Sequence, residues 1–284
     1  MGAIEALLAL GNDQTKSSHK FSHDALDKLL NYHLSAKYWL RNKLTTENFI
    51  KDGFYDIGSA GPNLDKITAL PTLSALKMTP LNKRREIITI NEVSDQKFGQ
   101  LCQMALQVTP NLNPRQIIQH IANIVSNAMG GAIEPANLNE FTYKFKITEL
   151  KMKSDTNVLP IGQITCGTFY HRALLFKAIC DRIGLSPCQL VRGDYNRAWN
   201  IVDIRRQKNI GLIGSNKLSA SREVPVAGLA SAATATMIQP MNENSHHAEH
   251  SDFPEEVTIV DLMFSPGRLL EISSLEAAAY CYPS

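Results

Sequence analysis

The sequence lacks an unbroken apolar run of membrane-spanning length, and its first residues contain no secretory hydrophobic segment. It also lacks an excess of charge of either sign, because 29 basic and 27 acidic side chains leave a formal net charge of +2. A chain this close to neutral gives no electrostatic reason to bind nucleic acid or an anionic membrane surface. We therefore expect no membrane insertion and no nucleic-acid partner.

Cysteine pairs with metal-binding spacing are absent as well. The five cysteines are odd in number and irregularly spaced: Cys102, Cys166, Cys180, Cys188 and Cys281. This pattern is typical of reduced intracellular thiols rather than of a disulfide framework or a zinc site. Three histidines, His246, His247 and His250, fall in a stretch rich in Ser, Ala and Asn, where a solvated loop is favoured over a metal site. We predict a cytoplasmic protein without a cofactor.

What the sequence does contain is one strongly patterned unit. Apolar residues at helical spacing predict a buried helix over Thr168–Ile183, and Gly184 is suited to end it. Three apolar runs then predict strands at 188–191, 197–204 and 257–262. The fold class that follows is α+β, with a central buried helix packed on an antiparallel sheet.

The motifs of this unit resemble a known fold. The run His171 through Lys177 reads His-Arg-Ala-Leu-Leu-Phe-Lys, and it is followed by Arg197-Ala198-Trp199-Asn200 and by Asp261-Leu262-Met263. Together they resemble the core of the transglutaminase-like, papain-like cysteine fold. The sequence is most similar to the variant of plant Raf-like kinases of the ethylene-response and disease-resistance type.

The resemblance implies where a catalytic triad would lie. In that fold a Cys stands at the start of the core helix, a His precedes the next strand's Ala-Trp, and an Asp follows on another strand. These positions fall on Phe169, Arg197 and Asp261. Phe cannot act as a nucleophile, and Arg stays protonated and cannot act as a general base. The resemblance therefore implies a degenerate domain, in which we expect Phe169 to fill the site and Arg197 to form a salt bridge with Asp261.

Five further residues form a structural signature of the resemblance: His171, Arg172, Arg192, Asp194 and Trp199. We expect His171 and Arg172 to bind buried backbone carbonyls and acidic side chains at the centre of the domain. Ion pairs are expected for Arg192 and Asp194.

The remaining residues indicate how the chain is divided into domains. Residues 1–50 resemble the C-terminal end of an armadillo-type helical solenoid, although a generic helical hairpin explains their pattern equally well. Residues 51–94 are rich in Gly, Pro and Asn and predict a linker. Residues 95–284 form the papain-like domain, with a mobile insertion at 207–254.

Within that domain, we predict helices over Asp95–Val108, capped by Ser94, and over Asn113–Met129. The alternating apolar and polar residues of Phe141–Ile147 predict a half-buried strand.

Two functions remain open at this point. The resemblance implies a non-catalytic scaffold of a ciliary or sperm-flagellar protein, with protein partners in the cilium or axoneme. The alternative is a cysteine hydrolase or acyltransferase that uses Cys166 as a displaced nucleophile. The sequence places no His after a strand where a base for Cys166 is needed.

Overall fold

A computed structural model of the chain describes residues 23–58, 70–81, 86–107, 112–185, 188–204 and 257–282. The insertion predicted at 207–254, its histidine tract and the first 22 residues lie outside the described residues. Within the described ranges, no helix combines the length and apolar character needed to cross a membrane.

The helices are α1 (His23–Arg41), α2 (Leu73–Lys77), α3 (Gln96–Leu106), α4 (Pro114–Ala128), α5 (Tyr143–Ser154), α6 (Phe169–Ile183) and α7 (Leu275–Cys281), with 3-10 turns at Pro135–Glu140 and Ile161–Gln163. The strands are β1 (Lys43–Leu44), β2 (Phe54–Gly58), β3 (Glu86–Ile90), β4 (Val158–Pro160), β5 (Cys188–Arg192), β6 (Ala198–Asp203), β7 (Val257–Val260) and β8 (Leu269–Glu271).

Helix α6 is the centre of the fold. All of its residues are buried except Asp181 and Arg182, which are partly exposed. It packs on β5 and β6 on one side and on α3 and α4 on the other. Gly184 ends it in the left-handed conformation, at φ 73°, where a side chain would be strained. The predicted buried central helix is confirmed.

The main sheet has five strands in the order β1-β5-β6-β7-β8, all antiparallel. Its three central strands are the three predicted from the sequence. Asn200 in β6 lies opposite Leu190 of β5 and Val260 of β7. The predicted packing of the helix on an antiparallel sheet is therefore confirmed.

A second sheet occupies the stretch that we predicted to be a linker. Strand β3 pairs antiparallel with β2 and parallel with β4. Every residue of β2 is buried, and Ile87, Ile88 and Ile90 of β3 are buried as well. The linker prediction is wrong for these stretches, because two five-residue strands give only a short signal between Gly- and Pro-rich segments.

The N-terminal helix belongs to the same body. Helix α1 is continuous from His23 to Arg41 and packs on β2, with the Tyr38 and Phe54 ring centroids 6.3 Å apart. Leu44 lies in β1, which pairs with β5. These contacts cross residue 50, where we predicted a domain boundary. The leucine spacing of α1 suits packing on a sheet as well as packing on another helix, so it could not distinguish a solenoid from this arrangement.

Two local predictions also need correction. The strand predicted over Phe141–Ile147 is wrong, because α5 begins at Tyr143 and buries Ile147 while leaving Phe145 66% exposed. Helix α3 is capped by Asp95 rather than by Ser94. The Asp95 carboxylate accepts from the amides of Phe98 (3.3 Å) and Gly162 (2.7 Å), which attaches the start of α3 to the segment before α6. Helix α4 begins as predicted, with Asn113 as its cap and Pro114 at its first position.

Candidate functional site

The candidate site lies at the start of α6, where Phe169 is the first helical residue. Its side chain is 3% exposed. Its ring meets the rings of Tyr280 and Phe264 edge-on, at centroid distances of 5.2 and 5.7 Å. The start of α6 is thus filled by three packed aromatic rings.

Arg197 lies against Phe169. The central carbon of its guanidinium group is 3.8 Å from the centroid of the Phe169 ring, which is cation–π geometry. Its Nη1 donates to the Tyr280 carbonyl at 2.9 Å. Burial lowers the pKa of Arg197, but an arginine remains a cation at neutral pH. It cannot accept a proton there.

Asp261 follows β7 and organises the next turn. Its Oδ1 accepts from the backbone amides of Met263 (2.8 Å) and Phe264 (2.9 Å), and its Oδ2 accepts from the amide of Ser265 (2.8 Å). The predicted Arg197–Asp261 salt bridge is wrong: no ion pair joins them in the part of the chain that the structure describes. Three amides already hold the carboxylate.

Tyr280 of α7 connects the three positions, and sequence reasoning missed it. Its ring contacts Phe169, its carbonyl accepts from Arg197, and its hydroxyl accepts from the Leu262 amide at 3.0 Å. Burial raises its pKa, so the phenol stays neutral. The only sequence signal was an aromatic residue in a short helix after Ser274, which is too general to indicate a site.

Arg172 is fully buried one turn into α6, where its side chain binds several backbone carbonyls. Its guanidinium donates to the carbonyls of Gly167 (2.7 Å), Leu262 (2.8 Å) and Met129 (2.8 Å), and to the Ser126 hydroxyl (3.2 Å). Burial lowers its pKa to about 10, which leaves it charged at neutral pH. One side chain therefore joins α4, α6 and the end of β7.

His171 is buried beside an acidic group. Its Nδ1 accepts from the Thr168 amide at 3.2 Å, and its Nε2 lies 3.5 Å from a Glu86 carboxylate oxygen without a hydrogen bond of good geometry. Glu86 also accepts a hydrogen bond from the Tyr170 hydroxyl. Burial alone would raise the pKa of Glu86, but His171, Tyr170 and the charge of Lys151 outweigh it and lower that pKa.

Two of the other signature residues have structural partners. Arg192 pairs with Asp56 of β2 and lies over the Tyr38 ring, 4.4 Å from its centroid. The sequence predicted an ion pair for Arg192 without identifying Asp56. Trp199 is 6% exposed, and its ring lies so close to Gly193 that a Cβ there would come within 2.6 Å.

Asp194 forms no ion pair in the described ranges. Its backbone carbonyl instead accepts from Arg197 across the hairpin turn, at 2.9 Å. The ion pair predicted for Asp194 is therefore not found.

Cys166 lies outside this site, in the loop before α6. Burial raises the pKa of its thiol, against the opposing charges of Arg172 and Lys146. His171 is engaged with Thr168 and Glu86 and does not hydrogen-bond this thiol. Cys166 is the least buried of the five cysteines. A raised thiol pKa opposes nucleophilic catalysis, because the thiolate is the reactive form.

The arrangement can stabilise a fold, and its three residues contain neither a thiol nor an imidazole. Phe169 has no donor or acceptor, Arg197 is a fixed cation, and Asp261 is held by amides rather than by an imidazole. Among the described residues, no group of three His, Cys, Asp or Glu side chains is placed to hold a metal ion.

Comparison with known proteins gives a family match. A family model described as "EDR1/CTR1/ARMC3, peptidase-like" matches residues 30–210. Over 188 residues the chain is 35% identical to "Armadillo repeat-containing protein 3" of Homo sapiens. The matched region covers 66% of this chain and 17% of that protein. No solved structure matches the chain.

Two plant kinases are similar over nearly the same length. The chain is 30% identical over 170 residues to "Probable serine/threonine-protein kinase SIS8" of Arabidopsis thaliana. It is 25% identical over 171 residues to "Serine/threonine-protein kinase CTR1" of the same plant. Each match covers 56% of this chain, and 16% and 21% of the kinases respectively. The chain thus spans less than a quarter of each of these relatives, and the resemblance inferred from the sequence motifs is confirmed.

Proposed function

This chain belongs to the EDR1/CTR1/ARMC3 peptidase-like family, and we propose that it is a non-catalytic protein-interaction module, a pseudoenzyme of that family. The observation that carries the proposal is the stacking of Arg197 on Phe169 at 3.8 Å. In the proposed alignment these two residues stand at the nucleophile and base positions, with Asp261 at the third. A stacked cation and ring provide neither a thiolate nor an imidazole.

The proposed loss of catalysis is supported by how the surrounding residues are used. Arg172, Asp261 and Tyr280 all bind backbone groups and join α4, α6, α7 and the end of β7. These bonds stabilise the domain around the closed site. A rigid body of this kind can present its outer surface to partners, which is the role that we propose for it.

A role in protein binding also fits the relatives. Armadillo repeats stack into extended surfaces that bind other proteins, and the human relative is named for them. We propose that the chain works as part of a scaffold in the cytoplasm, in the cilium or sperm flagellum, with axonemal protein partners. The test is the location of the fluorescently tagged full chain in multiciliated cells, where we expect enrichment along the axoneme. A signal spread evenly through the cell body contradicts this part of the proposal.

The catalytic question is tested by turnover. The full chain and its Cys166→Ser variant are incubated with a mixed peptide library, and mass spectrometry follows hydrolysis, deamidation and amide exchange. We expect identical product profiles from the two chains and from buffer. Products that the wild-type chain forms and the Cys166→Ser variant does not would establish the cysteine enzyme instead.

A further inference from the structure

A cleft on the side of α5 remains unexplained by the site at the start of α6. It measures about 230 Å³ and lies between α5, the beginning of α3 and residues 163–166. That volume is below the range of about 300–1,000 Å³ that is usual for small-molecule sites. It suits the side chain of a docked peptide better than a whole substrate.

The lining of the cleft combines apolar and basic side chains. Leu150, Ile164 and Cys166 supply apolar and thiol surface, and Lys97, Lys146 and Lys153 surround it together with Glu149. Three lysines and one glutamate give the cleft a formal net charge of +2, equal to the net charge of the whole chain.

Helix α5 repeats a basic and apolar pair along one side. Phe145-Lys146 and Met152-Lys153 are seven residues apart, which is two helical turns, so the two pairs point in similar directions. Phe145 is 66% exposed and Met152 is 61% exposed. Each of these exposed apolar side chains directly precedes a lysine of the cleft lining.

The three lysines are exposed to solvent and accessible to a partner. The bond of Lys146 Nζ to Glu149 Oε2 is 3.0 Å long, but the two side chains are 49% and 58% exposed. An exposed pair of this type contributes little and exchanges readily for another carboxylate. Lys97 and Lys153 are exposed at the rim.

We propose that this cleft binds an acidic peptide segment of a partner protein, with one apolar side chain of that segment seated on Leu150, Ile164 and Cys166. The proposal rests on the proposed function as an interaction module and gives its partner a chemistry. Charge complementarity selects carboxylates, because three lysines from α3 and α5 line the cleft against one glutamate. A concave floor favours an inserted side chain over a flat lipid surface.

The probe is a fluorescent twelve-residue peptide of glutamates with one central phenylalanine. Binding to the full chain is measured by fluorescence anisotropy at about 20 mM and about 300 mM salt, because screening separates an electrostatic contact from an apolar one. We expect binding that weakens at the higher salt. The same peptide with a central glycine should bind more weakly at both concentrations.

Two charge-reversal variants separate this cleft from general attraction. The triple variant Lys97→Glu/Lys146→Glu/Lys153→Glu should bind the peptide at least about tenfold more weakly than the wild-type chain. Lys43→Glu/Lys51→Glu/Lys77→Glu reverses three exposed lysines outside the cleft and makes the same change of net charge. It should lower the affinity by about threefold or less. Thermal unfolding of both variants shows whether they remain folded.

Cys166 supplies a second readout at the floor. The other four cysteines are buried, so alkylation by iodoacetamide reports chiefly on Cys166. Saturating peptide should slow that alkylation severalfold in the wild-type chain and in the control variant. It should leave the rate unchanged in the cleft variant.

Three results overturn the proposal: no binding at low salt, equal loss of affinity in the two variants, or unchanged Cys166 alkylation in the presence of bound peptide. If the chain binds anionic phosphatidylserine vesicles through these lysines but does not bind the peptide, the surface is a membrane-binding site instead. In any of these cases the non-catalytic function stands. Cleavage of the peptide, seen by mass spectrometry, would contradict the proposed function itself.

Discussion

At the scale of single residues, Asp261 shows how one carboxylate can hold a turn. Its two oxygens accept three backbone amides of the turn 263–265. A hydrogen bond to a charged group stabilises a protein more than a neutral one, by up to about 1.5–3 kcal/mol net of the exchange with water, and by less where the amides stay accessible to water. The residue fixes the chain between β7 and β8, beside Tyr280.

Replacing Asp261 therefore has a graded effect. Asp261→Ala should lower the free energy of unfolding by about 2–4 kcal/mol, because three amides lose their acceptor. Asp261→Asn keeps one acceptor oxygen and should cost roughly half as much. Urea unfolding followed by tryptophan fluorescence measures both. Equal costs for the two variants would show that the amide contacts do not determine stability here.

Glu86 provides a pH-dependent contribution at the same scale. Burial opposes its ionisation, but His171, Tyr170 and Lys151 lower its pKa below the ordinary carboxyl value. A group with a lowered folded pKa stabilises the protein above its unfolded pKa, about 4.3, and loses that contribution as the pH falls through the folded value.

We therefore expect the free energy of unfolding to fall less steeply with acidification in Glu86→Gln than in the wild-type chain. The window is the region below about pH 4.3. Glu149→Gln, at an exposed position of α5, is the matched control and should keep the wild-type slope. Parallel curves for the wild-type chain and Glu86→Gln would contradict the assignment.

At the scale of elements, Gly162 and Gly99 provide a matched pair on either side of the α3 cap. A Cβ at Gly162 would lie 2.5 Å from the Phe98 amide nitrogen and 2.6 Å from an Asp95 carboxylate oxygen. A Cβ at Gly99, inside α3, meets nothing nearer than 3.5 Å. Only the first glycine is required by a close approach.

Gly162→Ala should destabilise the chain by about 2 kcal/mol or more, because backbone and cap must move apart. Gly99→Ala should be neutral or stabilise it by up to about 1 kcal/mol, since alanine favours a helix. Thermal and urea unfolding of the two variants give the comparison. A stabilising Gly162→Ala would show that the cap is not closely packed.

The elements that sequence reasoning predicted well are those with long or fully apolar patterns. Helix α6 and strands β5, β6 and β7 have clear patterns. The helix is buried along nearly its whole length, and the strands are short apolar runs that follow it. Strands β2 and β3 are five residues long and were hidden among loop residues. The seven residues from Phe141 alternate by chance, because α5 buries Ile147 and exposes Phe145.

The candidate site was predictable only in part for a different reason. Phe169 and Arg197 were aligned from motifs, and the structure brings their side chains into contact. The partner of Arg197 could not be predicted, because it is a carbonyl of α7, 83 residues away in the chain. Asp56 and Glu86 were missed because they lie in strands that were assigned to a linker.

At the scale of the whole molecule, we propose that α1 and β1 belong to the same domain as the elements they pack on. Helix α1 covers β2, and β1 extends the main sheet beside β5. A chain that begins at residue 51 loses both, exposing the buried side chains of Phe54 and Tyr55. We expect that chain to aggregate, and a chain that begins at residue 23 to unfold cooperatively, as measured by size-exclusion chromatography and urea unfolding. A soluble, cooperative 51–284 chain would restore the boundary at residue 50.

The central claim is that the chain has no activated nucleophile, and the most direct measurement is the pH dependence of Cys166 alkylation. Iodoacetamide labelling of the full chain is followed by mass spectrometry and compared with free cysteine, from pH 6 to about pH 10. Because burial raises the pKa of the Cys166 thiol, the rate should stay below that of free cysteine at neutral pH and rise only at alkaline pH. A rate well above that of free cysteine at pH 7, with a plateau already reached there, would contradict the account.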